Sequence, residues 1–179
     1  MSRRRKKVEA EKTVPAVEDD LDGLFPVNPC LGAAAVVPFP GDEERTVAAE
    51  VLAEKTWPQM TWEAVDRDWE LPFCLTPEGF VYYLPAFIRI CRREPESTEL
   101  LADTLLRCFG RQDGEWPTVL ARLHEAQRRC AYEFLKSRFI QPARVGTCGV
   151  AVCSWRREME EAQRALGFEG LEELPPSDV

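Results

Sequence analysis

Leu75-Thr76-Pro77-Glu78-Gly79-Phe80-Val81-Tyr82-Tyr83-Leu84-Pro85-Ala86-Phe87 is the stretch that decides the fold. Thr76 is a residue type that accepts hydrogen bonds from the first free N–H groups of a helix. Pro77 suits the first helical position, where no N–H is needed, and Glu78 meets the positive end of the helix dipole. Leu75 and Phe80 stand at the two positions of a hydrophobic staple. From there Phe80, Tyr83, Leu84, Phe87, Ile88 and Cys91 recur at i, i+3, i+4, i+7, i+8 and i+11, so one face of a helix is apolar and must be buried. Pro85 lacks an N–H and crowds the carbonyl of Val81, which predicts a kink or a break inside the helix.

Upstream, Phe39-Pro40-Gly41 turns into a helix over Asp42 to Lys55, with Val47, Val51 and Leu52 on one side. Trp57-Pro58 interrupts it, because the residue before a proline is pushed out of helical geometry. A short helix then carries Trp62, Val65 and Trp69 inward at i, i+3 and i+7. Downstream, Leu100, Leu101, Leu105, Cys108 and Phe109 describe a helix closed by Gly110, and Arg111 to Gly114 make a turn. Leu120, Leu123, Gln127, Cys130, Ala131 and Phe134 give another stripe, whose start lies anywhere between Pro117 and Glu125. A final helix opens at Ser154, carries Trp155, Met159, Ala162 and Leu166 along one side, and stops at Gly167. Residues 144–153 read as a loop. The expected fold class is mainly α: a compact multi-helix single domain, with a kinked helix at Pro85 and a disordered N-terminal tail.

Three segments follow. Residues 1–32 join a basic run to acidic residues and three prolines without periodicity, and read as a mostly disordered lead-in on which the apolar Leu24, Phe25 and Val27 can dock. Residues 33–168 form the helical domain, and 169–179 an acidic flexible tail.

The stretch Leu75 to Phe87 resembles an uncharacterised bacterial family, a domain of unknown function whose hallmark reads L-T-P-E-A-F-x-Y-Y-L-P-A-F/Y-L. Pro40-Gly41-Asp42 and the run from Gln127 to Leu135 resemble its flanks. The resemblance spans about residues 33 to 168 and implies a helical fold; it brings no catalytic residues. The chain departs from the hallmark at Gly79, where the family favours Ala, and at His124-Glu125, where a Thr-Pro helix start is expected.

Composition narrows the function classes. The net charge is −8, and the first seven residues hold five positive charges, so the remainder has 18 basic against 31 acidic residues and repels nucleic acid. Only Arg3, Arg4, Arg5, Lys6 and Lys7 could hold a phosphate backbone. No apolar run is long enough to span or enter a membrane. Seven irregularly spaced cysteines behind no secretory segment indicate reduced thiols, hence a cytoplasmic location.

Chemistry is thinly marked. His124 is the single histidine, and neither a nucleophile elbow nor a glycine-rich phosphate loop is present. Spacing disfavours a zinc site from His124, Cys130, Cys148 and Cys153, since six positions turn two helical side chains about 120° apart, and buried unpaired thiols are the favoured reading. Cys74 precedes a helix start but has apolar neighbours. Glu63, Asp66, Asp68 and Glu70 read as a solvated acidic face. No catalytic residue, metal or cofactor is expected. Glu78, Tyr82, Pro85 and Arg89 fall opposite the core face of their helix, and an exposed ring between an acid and a base is the kind of stripe that contacts a partner.

The expectation is therefore a non-enzymatic protein-binding accessory module of the bacterial cytosol, of the immunity or regulatory kind, binding through Glu78, Tyr82 and Arg89. Two alternatives stay open. One is an enzyme of unassigned chemistry drawing on His124, the acidic face or a cysteine. The other is nucleic-acid contact through Arg3 to Lys7.

Overall fold

The computed structural model describes residues 21–27, 31–36, 43–52, 55–66, 69–140 and 152–169. The basic run Arg3 to Lys7, the lead-in before Leu21, the expected loop up to Ala151 and the tail beyond Glu169 lie outside the described residues. The described chain is helical, and its single β-like feature is one bridge between Val36 and Leu75.

The helix opening at Thr76, α5 (Pro77–Arg93), starts as its residues dictate: the Thr76 hydroxyl accepts from Gly79 N at 3.0 Å. It runs unbroken through Pro85. Of the kink or break expected there, the break does not occur, because Tyr83 to Ile88 are all buried and packing holds a helix whose ladder lacks one bond. Burial goes beyond the predicted stripe to Pro85, Ala86 and Ile90, so α5 is enclosed along most of its girth.

The other elements gather round it. In chain order they are α1 (Leu21–Leu24), a 3₁₀ turn (Gly32–Ala35), α2 (Glu43–Leu52), a second 3₁₀ turn (Trp57–Gln59), α3 (Trp62–Val65), α4 (Leu71–Cys74), α6 (Glu99–Gly110), α7 (Trp116–Leu120), α8 (Glu125–Leu135), a π-helical turn (Lys136–Ile140) and α9 (Val152–Leu166). Both 3₁₀ turns, α6 and α7 lie against α5. On the far side of α6 lies α9, which also touches α7 and α8 and buries Trp155, Met159, Ala162 and Leu166, the stripe read from sequence. It begins two residues before Ser154 and ends at Gly167, whose φ of 77° is the left-handed geometry a helix stop uses.

Three readings are corrected. Trp69 is 38% exposed, because α3 ends at Val65 and Trp69 falls out of its phase; Trp62 is only partly buried. Leu100 is 58% exposed, and Thr104 turns inward on α6 instead. The stripe from Leu120 to Phe134 is two helices: α7 ends at Leu120, and α8 starts after His124, which acts as its cap. The apolar patch expected to dock does so: Phe25 is buried with Leu21 in the same core as α5, and Leu24 and Val27 pack against it.

Glycine at position 79 has a local cause. Thr76 N donates to Ala35 O at 2.7 Å, which lays the first 3₁₀ turn across the start of α5. A Cβ at Gly79 would stand 2.3 Å from Ala35 O and 2.9 Å from Ala35 Cα, and a backbone cannot yield as a side chain does. Alanine gains about 1 kcal/mol of helix propensity, while overpacking costs about 1–3 kcal/mol. Gly79→Ala is expected to lower stability by up to about 2 kcal/mol on those figures, read as a drop in the urea midpoint; a rise would place the 3₁₀ turn elsewhere.

Candidate functional site

The predicted stripe does not remain a single exposed surface. Glu78, in the first turn of α5, is exposed, and its Oε1 lies 3.5 Å from Arg122 Nη1, with the side chains 47% and 65% exposed. Tyr82, one turn on, is half-buried: its hydroxyl donates to Val27 O at 2.6 Å, and its ring meets Tyr83 edge-on at 4.9 Å. Arg89, two turns further, reaches the second 3₁₀ turn and donates from Nη2 to the carbonyls of Trp57, Pro58 and Met60, the shortest bond being 2.8 Å to Pro58. Tyr82 and Arg89 are therefore committed within the fold.

Glu78 and Tyr82 share a cleft of about 320 Å³. It is lined by Val81 and Tyr82 of α5, Val119 of α7, Leu123 just beyond α7, and Phe25, Pro26 and Leu31 from upstream, and the paired Glu78 and Arg122 belong to the same lining. Arg89 belongs to a smaller, more polar recess of about 200 Å³ with Trp62, Glu63, Arg93 and Glu94. The stripe is thus split between two hollows.

Two elements shape the cleft. One is the start of α8, where His124 Nδ1 accepts from Gln127 N at 3.4 Å and Gln127 Oε1 accepts from His124 N at 3.1 Å. This is the reciprocal capping pattern with an imidazole in place of a hydroxyl. The only histidine thus has a structural post, and Gln127, 7% exposed, is left with its amide aimed at the upstream segment. The other element is that segment, Leu21–Val27. Its Leu24, Pro26 and Val27 carbonyls accept from Gln127 Nε2 (2.9 Å), Trp57 Nε1 (3.2 Å) and Tyr82 OH (2.6 Å).

Cys74, Cys91 and Cys108 are buried and Cys130 partly so, and among the described residues no three His, Cys, Asp or Glu side chains converge as a metal site would need. Cys148 and Asp68 lie outside the described residues, as does the side chain of Cys153. Burial pushes the Cys91 thiol up to about 11, against smaller opposing effects of Thr98 and Arg138, and pushes Cys108 up further. Glu63 is held below the usual carboxylate range by hydrogen bonds from its own backbone and from Thr61, which makes it a helix-start carboxylate.

Buried neutral thiols set a pH dependence. Below about pH 9 folded and unfolded chains both keep the Cys91 proton; as pH rises from 9.0 towards 11 only the unfolded chain loses it, so stability falls. The urea midpoint is expected to drop between about pH 8.5 and pH 10.5. At about pH 8 a thiol reagent should modify Cys91 and Cys108 no faster than the chain unfolds, and rapid labelling would contradict their burial.

Sequence reasoning marked Phe25 as able to dock but did not find Arg122 or the cleft, which draws on four separated segments. Gln127 carried a usable signal, a Gln three residues after a break. Compared with known protein families, curated proteins and solved structures, the chain matches none.

Proposed function

We propose that this chain is a non-enzymatic protein-binding accessory module of a bacterial cytosol, of the immunity or regulatory kind, and that the cleft beside Tyr82 is its docking site. The bacterial setting rests on the resemblance of Leu75 to Phe87 to its hallmark. The observation that carries the reading is the cleft: about 320 Å³, lined mostly by apolar side chains, with the opposite charges of Glu78 and Arg122 3.5 Å apart in its lining. That volume suits one or two inserted side chains, at the low end for a small-molecule site. An exposed ion pair is worth about 0–1 kcal/mol, so Glu78 and Arg122 part cheaply and can orient a partner bearing complementary charges. Among the described residues, no helix is long and apolar enough to cross a membrane, which accords with a partner other than lipid.

Affinity capture from the cytosol of the source organism tests the proposal. The tagged chain should recover one protein in near-stoichiometric amount. Arg122→Glu should cut that recovery at least tenfold, whereas the exposed Glu133→Lys on α8, which does not line the cleft, should not. Equal recovery by both variants, or no specific recovery by the parent, removes the reading.

A further inference from the structure

Leu21–Val27 lies on the body as a bound peptide would. Its one turn, closed by Phe25 N to Leu21 O at 3.0 Å, is too short to sustain itself. The body supplies what it lacks. Leu21 and Phe25, one helical turn apart, are 1% and 3% exposed. The three carbonyls that follow this turn or end it, those of Leu24, Pro26 and Val27, meet donors from α8, the second 3₁₀ turn and α5, which stand 103, 31 and 55 residues away in sequence.

The division of labour matters. Gln127, Trp57 and Tyr82 read the backbone of the strap, which any peptide shares, while selectivity rests on two apolar seats and on the non-helical Pro26-Val27 exit. Groove-type peptide sites combine the same two elements: main-chain hydrogen bonds for affinity and side-chain pockets for specificity. The cleft continues this surface, since Phe25 and Pro26 are at once strap residues and its wall.

Building on the docking reading above, we propose that the seats under Leu21 and Phe25 and the cleft beside them form one peptide-recognition groove, closed at rest by the chain's own strap. The partner is a protein segment with the strap's chemistry: an apolar residue, an aromatic residue four positions later, and then a non-helical proline-containing exit with free carbonyls. Binding is then an exchange of one peptide for another, and the strap's local stability sets the apparent affinity by limiting the competent fraction.

The probe is a fluorescein-labelled synthetic peptide copying Glu18 to Val27, titrated into the full chain and into its Phe25→Ala variant, which empties the aromatic seat and leaves every donor in place. The peptide should bind the variant at least tenfold more tightly than the parent and raise the variant's melting temperature. The same peptide carrying alanine for its phenylalanine should do neither. Equal binding to both chains, or indifference to the alanine in the peptide, overturns the proposal.

A second measurement does not depend on the variant folding. On the parent chain, saturating peptide should speed exchange of the Phe25 amide hydrogen at least tenfold, and an unchanged rate overturns the proposal. Peptide exchange without any captured partner would keep the groove and remove the docking reading. A captured partner that excess peptide fails to compete away would do the reverse.

Discussion

Phe80→Ala is expected to cost the fold about 3–5 kcal/mol, the range for truncating a fully buried aromatic side chain. Phe80 has no exposed surface, and its ring lies edge-on to Phe109 at 5.3 Å and tilted against Trp116 at 5.0 Å. It therefore joins α5 to α6 and α7 at one point. Each aromatic pair adds about 0.5–1.5 kcal/mol beyond burial, and a domain has only about 5–15 kcal/mol in total. A urea titration should show the midpoint falling with the slope unchanged. A loss below about 1 kcal/mol would mean that the two contacts do not support the core.

Arg89→Ala is expected to cost about 2–3 kcal/mol, because hydrogen bonds from a charged donor are worth about 1.5–3 kcal/mol and a cation over a ring adds about 0.5–1. The Nη2 bond to Pro58 O at 2.8 Å is the principal contact, and those to Trp57 O and Met60 O are longer, both 3.3 Å. The guanidinium carbon also stands 5.3 Å from the centre of the Trp57 ring. Truncation leaves the turn's carbonyls without this donor. Arg89→Lys should restore only part of the loss, since an ammonium does not reproduce a planar fork. Thermal melts of the three chains check the order; an Arg89→Ala melt within error of the parent would return Arg89 to the role of a solvated surface residue.

These two residues mark where sequence was informative and where it was not. The Thr76 cap, the Pro77 start and the stripe from Phe80 to Cys91 are local chemistry, and the structure has them as read. The opposite face misleads for a physical reason: Tyr82 and Arg89 carry apolar bodies with polar tips, and hydropathy spacing scores such side chains as solvent-facing wherever their tips bond. Here the tips reach carbonyls 55 and about 30 residues away, at Val27 and at Trp57 to Met60, partners that no helical period contains.

The same limit hid the cleft. Phe25, Tyr82, Leu123 and Gln127 are ordinary core-type residues in their own segments and define a hollow only once α1, α5, α7 and α8 are packed together. The turn after Gly110 was legible as a turn, but its fastening was not. Arg111 makes two bonds to Asp113, at 2.9 and 2.6 Å, and lies 4.4 Å over the Trp116 ring. The start of α8, at the end of the range left open in the sequence, was not pinned down because imidazole is not among the usual caps.

The fold and the groove alike depend on α5 being an unbroken helix enclosed by the rest of the chain, and hydrogen exchange resolved to single amides tests that most directly. From Ala86 to Cys91, on the far side of Pro85, the amides should exchange only at the rate of global unfolding, as slowly as the most protected amides of α6. Exchange of that half of α5 at the rates of exposed loops, with Tyr83 and Leu84 still protected, would show a helix broken at Pro85 and would contradict this architecture.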